Sequence, residues 1–170
     1  MDLELSQAEI DALISCGKDI TDPPRRETRL SRGHRRNEML LRSREGGEEF
    51  QLFIRENERF PENFSVGLNY LPAGGGKPFP LVRCNGAHGD FNRARSGNPH
   101  CQYHVHTVSA QLIAEGKDPL GNASPTSAYA SLIGAVRYLC QLAGVSGYEL
   151  HFPEHVQAPL WTEPLLERLQ

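Results

Sequence analysis

Long apolar runs are missing from this 170-residue chain, in which no stretch approaches the ~20 consecutive apolar residues that a membrane-spanning helix needs. The opening "MDLELSQAEI" has neither the basic start nor the apolar centre of a secretory signal, so a cytoplasmic protein without a membrane partner is expected. Paired cysteine motifs are missing too. Cys16, Cys84, Cys101 and Cys140 form no CxxC pair, which removes the zinc ribbon and the dithiol redox centre and leaves free, mostly buried thiols as the expectation. No internal repeat is present, so repeat arrays are set aside. The length suits one domain, and a hydrophobic content of 38% is enough for one core.

Charge of one sign is scarcely in excess, at a formal −3, but it is unevenly spread. Residues 23–44 carry eight arginines (25, 26, 29, 32, 35, 36, 42 and 44) against Glu27 and Glu38, a local excess of six that leaves the remainder at −9. Such a run is either a solvated flexible arm or a contact for an anion or nucleic acid. The acidic remainder opposes non-specific coating of nucleic acid, so any such contact would be local and salt-sensitive.

Ser6 and Glu9 in "LSQAEIDALISC" have the spacing of a capping box, and Ile10, Leu13 and Ile14 follow on one helical face. "DPPRRETRLSRGHRR" has two prolines, a glycine and no apolar period, and reads as a linker or arm. From Asn37 to Cys84 the period becomes two. "NEMLLRSRE" and "EEFQLFIRE" flank Gly46-Gly47 as a hairpin, and Phe64, Val66, Leu68 and Tyr70 alternate in a third strand. After the loop "LPAGGGKP", "FPLVRCN" is extended, with Pro80 favouring an edge or a strand start. "TVSAQLIAEG" suggests a helix ending at Gly116, "YELHF" a short last strand, and residues 153–170 a Pro-interrupted tail carrying Trp161. Tyr129, Leu132, Ile133, Val136, Leu139, Cys140 and Ala143 form the apolar stripe of a longer helix, with Gly144 to stop it.

These elements predict one α+β domain: an antiparallel sheet of four to six strands, with an N-terminal helix and a major helix over about 126–143 packed on one face. The expected divisions are an N-terminal helix in 1–22, a basic arm or linker in 23–36, a core in 37–152 and a tail in 153–170.

Four of the seven histidines lie in "RCNGAHGDFNRARSGNPHCQYHVHT", residues 83–107. "HCQYHVH" alternates, so as a strand it sends Cys101, Tyr103 and Val105 one way and His100, Gln102, His104 and His106 the other. His104 and His106, with His100 behind them and Asp90 from the preceding loop, have the donor types that zinc or another borderline metal accepts. The same residues suit metal-free chemistry. One neutral imidazole among His88, His104 and His106 takes a proton while a charged one supports a leaving group, and Arg83, Arg93 or Arg95 holds a phosphate in a forked contact. Exposed histidines on an ordinary outer sheet face are the alternative. His34, His151 and His155, each alone, read as surface or packing residues.

The run "FQLFIRENERFPENFSVGL", then "LVRCNGAHG", then "HVHT", resembles a family of small bacterial proteins in which strands precede an R-[YC]-[DN]-N/G-x-H element and an H-x-H element. More distantly, Arg83, Asn85, His88, His104 and His106 resemble in order the R-Y-D-N-x-H and H-x-H elements of TumE-like toxin components of toxin-antitoxin pairs. The likeness covers roughly residues 36–106. Cys84 replaces the aromatic residue, Asn85 the acid, and "GDFNRARSGNP" separates the elements. The resemblance implies a bacterial accessory protein with toxin-like activity on nucleic acid or nucleotides and an antitoxin-like partner. Histidine-triad nucleotide hydrolases are less similar, because Val108 stands where their third alternating histidine would be.

Two functions are therefore carried forward, with a histidine-dependent metal-binding hydrolase as a minor alternative. One is phosphodiester cleavage or nucleotide handling by His88, His104 and His106, with Arg83, Asn85, Arg93 and Arg95 as the anion-binding set. The other is a non-catalytic module that engages a protein partner or its own copy through Arg25–Arg36 and the tail around Trp161.

Overall fold

The computed structural model describes residues 5–88 and 101–153. Helix α1 (Gln7–Ser15) starts where the capping box places it: Ser6 Oγ accepts from the Glu9 amide, and the Glu9 carboxylate accepts from the Ser6 amide at 2.8 Å. The Ser6 hydroxyl, which donates to the same carboxylate at 2.7 Å, and then the Ser6 amide hold the Glu9 carboxyl below its ordinary range. The helix spans its whole apolar period, Ile10 to Ile14, and the chain then turns into strand β1 (Lys18–Asp22), which takes up the end of the 1–22 segment.

Strands β2 (Arg29–Ser31), β3 (His34–Ser43), β4 (Glu49–Asn57), β5 (Phe64–Leu71), β6 (Phe79–Asn85) and β7 (His104–Thr107) follow, with helix α2 (Ala110–Ala114) and strand β8 (Ala123–Pro125) after them. Helix α3 (Leu132–Leu142) and strand β9 (Val145–Ser146) complete the order, and Tyr148–Leu150 form a 3-10 turn. The described strands make one nine-stranded sheet in the order β8-β7-β6-β5-β4-β3-β1-β9, with β2 also paired to β3. Pairing is antiparallel throughout except between β1 and β9.

Nine strands exceed the four to six expected, because the short ones carry too little alternation to register as strands. Arg29–Ser31 pairs with His34–Arg36, so the expected basic arm is partly a hairpin continuing the sheet. Its turn at Arg32 and Gly33 has both residues at positive φ. "YELHF" is no strand. Gly147, at φ 78°, ends β9 after two residues, and Tyr148 turns into the core.

Period-two alternation separates the two faces of the sheet. Met39, Leu52, Leu68 and Val82 are cross-strand neighbours, as are Ile54, Val66 and Cys84, and all lie within the core. Helix α3 covers β5 and β6 on this face through Ala135, Val136, Leu139 and Cys140, and α1 adds Ile10 and Ile14. The major helix begins at Leu132, not near 126, because Ser131 Oγ accepts the Gly134 amide at 3.0 Å and so acts as the N-cap. Pro80 sits inside the sheet, where the β5–β6 register shifts between Leu68 and Asn69 and so accommodates its missing N–H.

Lys18 is fully buried where α1 and α3 end. Its ammonium donates to the carbonyls of Ile14, Cys16 and Ala143 at 2.9, 2.9 and 3.0 Å and lies 4.5 Å from the Phe50 ring centroid. The charge thus neutralises carbonyls at two helix C-termini at once.

Candidate active site

The outward face of the same strands is polar. Arg55 on β4 opposes Ser65 on β5, Ser65 opposes Asn85 on β6, and Asn85 opposes His104 on β7. One step along, Gly67 opposes Arg83, and Arg83 opposes His106. His88 enters from the segment after β6. A groove of about 380 Å³ is lined by His34, Arg55, Ser65, Arg83, His88 and His106, among others.

The three histidines expected to cooperate are together. Ring centroids of His88 and His104 are 4.9 Å apart, and those of His104 and His106 are 5.0 Å apart. Their surroundings differ. His104 is 0% exposed, whereas His88 and His106 are half-buried and line the groove. The strand holding the pair starts at His104, with residues 101–103 ahead of it outside any strand, and Tyr103 and Val105 pack against the core without being fully buried.

Backbone carbonyls select the ring tautomers. His104 Nδ1 is 2.8 Å from the Gln102 carbonyl and His106 Nδ1 is 2.7 Å from the Leu120 carbonyl; since a carbonyl only accepts, both nitrogens carry hydrogen. Asn85 Nδ2 donates to His104 Nε2 at 3.2 Å and lies 3.4 Å from His88 Nε2, which orients a lone pair of each ring towards the amide. Asn85 Oδ1 accepts from Ser65 Oγ at 2.6 Å. Asn85 therefore links Ser65, His88 and His104 by hydrogen bonds at the edge of the groove it also lines.

From the core side the Tyr129 hydroxyl shares its one hydrogen between the carbonyls of His104 at 2.7 Å and Asn85 at 3.1 Å, tying β7 to β6 at the site. Burial pushes its phenol up and, next to it, pushes the Cys84 thiol up to about 12, so both stay protonated at neutral pH. The Cys140 thiol is likewise raised to about 12. All four cysteines are free, but Cys16 and Cys101 are only partly buried.

Gly86 lets the His88 segment approach. A Cβ there would stand 1.9 Å from the Glu62 carbonyl oxygen, so any other residue must move the backbone that delivers His88.

Sequence reading missed several groove residues. Arg55 and Ser65 lie between the apolar positions of alternating strands, a signal that was present. His34 is no isolated surface residue: its Nδ1–H faces the Arg32 carbonyl at 3.0 Å, and Arg55 Nη2 donates to its Nε2 at 3.1 Å. His151 is exposed, at the end of the 3-10 turn. Arg93, Arg95, His100, Asp90, His155 and Trp161 lie outside the described residues. Among the described residues no group of three or more His, Cys, Asp or Glu side chains is arranged to hold a metal ion. A zinc site using His104 would have to take the lone pair now directed at Asn85.

No described helix is long and apolar enough to cross a membrane. No family model matches this chain, and neither a curated protein nor a solved structure matches it.

Proposed function

We propose that this protein cleaves RNA phosphodiester bonds, as a toxin-like ribonuclease, by general acid–base chemistry between His88 and His106. The observation that carries this reading is the chain of imidazoles at 4.9 and 5.0 Å beside Arg83 in a groove that also takes Arg55. Proton exchange at one phosphate requires two imidazoles within reach of a common substrate, together with a cation for the non-bridging oxygens.

The hydrogen bonds suggest the division of roles. The Asn85 amide favours a lone pair on His88 Nε2, and the 3.4 Å contact is long enough for a substrate hydroxyl to displace it. His88 is then the base that removes the 2′-hydroxyl proton. The 2′-oxygen attacks phosphorus, the bond to the 5′-oxygen breaks, and charged His106 donates its Nε2 proton to that leaving oxygen. The Leu120 carbonyl accepts from Nδ1–H of a neutral or a charged ring, so His106 can carry the proton without losing its orientation. Arg83, its cross-strand neighbour, holds the non-bridging oxygens. His104 positions the other two rings and Asn85. The products are a 2′,3′-cyclic phosphate and a 5′-hydroxyl.

Incubation with a mixed-sequence RNA oligonucleotide, followed by mass spectrometry of the ends, tests the reading. Cyclic phosphate ends formed in the presence of chelator are expected. Linear 5′-phosphate products that disappear with chelator would replace the reading by a metal-dependent one, and RNA binding without cleavage would leave a binding module.

A further inference from the structure

We propose that the substrate is a single-stranded polynucleotide lying across the strands, its flanking phosphates held by Arg55, Arg36 and Arg29 and one base stacked on Phe53. This rests on the ribonuclease reading and adds a substrate class to it. The register shows a straight lateral row: Arg29 opposes Arg36, Arg36 opposes Arg55, and from Arg55 the row runs through Ser65 and Asn85 to His104. Cross-strand partners share a face, so three guanidinium side chains lead along one line to the histidines.

A second groove of about 420 Å³ lies beside the histidine groove and is lined by Arg25, Arg29, Arg36 and Phe53, among others; both grooves are lined by Arg55. Strands lie ~4.8 Å apart, so the four steps from β7 to β3 span roughly 19 Å, more than one nucleotide needs. Charge is concentrated on this path. Arg42 and Arg44 are paired with Glu49 and Asp19, whereas no ion pair among the described residues involves Arg25, Arg29, Arg36, Arg55 or Arg83. Glu38, the acid in the groove, accepts the Gln51 amide at 2.6 Å.

Phe53 is an aromatic ring on a polar sheet face. It fills the space a side chain at Gly67 would occupy, with a Cβ there only 2.3 Å from the ring, and it remains half-exposed towards the groove. An aromatic platform beside a row of arginines is how non-specific single-strand sites combine stacking with backbone charge.

Binding of 2′-O-methyl RNA, which lacks the attacking hydroxyl, separates this inference from catalysis. In fluorescence anisotropy, affinity of the full chain should rise from a dinucleotide to an octanucleotide, and an octamer duplex should bind more weakly than the single strand. Arg29→Ala with Arg36→Ala should make the slope of log affinity against log salt shallower by about 1.4, two single-strand phosphate contacts. Phe53→Leu should weaken octamer binding about tenfold. Equal affinity for dinucleotide and octamer, or an unchanged salt slope in the double variant, would overturn the extended site even if dinucleotides are cleaved. The expected length and salt dependence without cleavage of unmodified RNA would keep the site and overturn the ribonuclease reading.

Discussion

Asn85 faces His104 across the β6–β7 ladder with its amide nitrogen 3.2 Å from the imidazole Nε2, and both side chains are buried. The contact thus joins two buried polar side chains, each of which has a further hydrogen-bond partner. Exposure distinguishes the three histidines: His104 is enclosed, and His88 and His106 border the groove.

Stability and activity should accordingly separate along β7. His104→Ala strands the Asn85 amide and the Gln102 carbonyl and should cost about 2 to 4 kcal/mol in urea unfolding. His106→Ala strands only the Leu120 carbonyl, next to the groove, and should cost less, about 1 kcal/mol, yet on the proposed ribonuclease reading lower RNA cleavage by about 10²- to 10⁴-fold. Equal destabilisation by the two substitutions would contradict the division between positioning and proton transfer.

Gly86→Ala should destabilise by about 1 to 3 kcal/mol, because the new Cβ meets the Glu62 carbonyl and the neighbouring backbone has to shift. The His88 ring moves with it, so cleavage should fall further than the folded fraction does. Comparing specific activity at a temperature where the variant is fully folded checks this.

Lys18→Met keeps most of the side-chain volume but leaves three carbonyls without their donor, and a loss of about 1 to 3 kcal/mol is expected. A variant as stable as the parent in urea would mean that water or backbone movement satisfies those helix ends instead.

The buried thiols predict a loss of stability in alkali. Folding raises Cys84 and Cys140 to about 12, while an unfolded thiol titrates near ~8.5, so between these values the folded state binds more protons and stability falls as pH rises. Their contribution is fully present below the unfolded value. The urea midpoint of a Cys84→Ala, Cys140→Ala variant should fall less steeply than the parent's from pH 8.5 upward; parallel curves would refute the assignment.

Much of the sheet was legible because burial on one face imposes a period of two. Met39 and Leu41, Phe50 to Ile54, and Phe64 to Tyr70 alternate as a half-buried antiparallel sheet requires, and the Gly46-Gly47 turn marked its hairpin. The same alternation placed His104 and His106 on one side. Two- and three-residue strands were not legible, since β2, β8 and β9 are defined by hydrogen bonds to partners distant in sequence or across a turn and carry no pattern of their own.

The chain by itself determined the residue types and the alternation that puts polar side chains of successive strands on one face. It also determined the cap at Ser6 and the glycine that admits the His88 segment. Only the tertiary structure decided the register, and with it everything lateral: Arg55, Ser65 and Asn85 come into line with His104 because β4, β5, β6 and β7 pair with these particular offsets. A shift by one residue would turn each polar side chain into the core, and a shift by two would keep the faces but break the row. The burial that encloses His104 and leaves His106 at the groove arises in the same way, from neighbours brought by other strands and by the Leu120 carbonyl, none of which is adjacent in sequence.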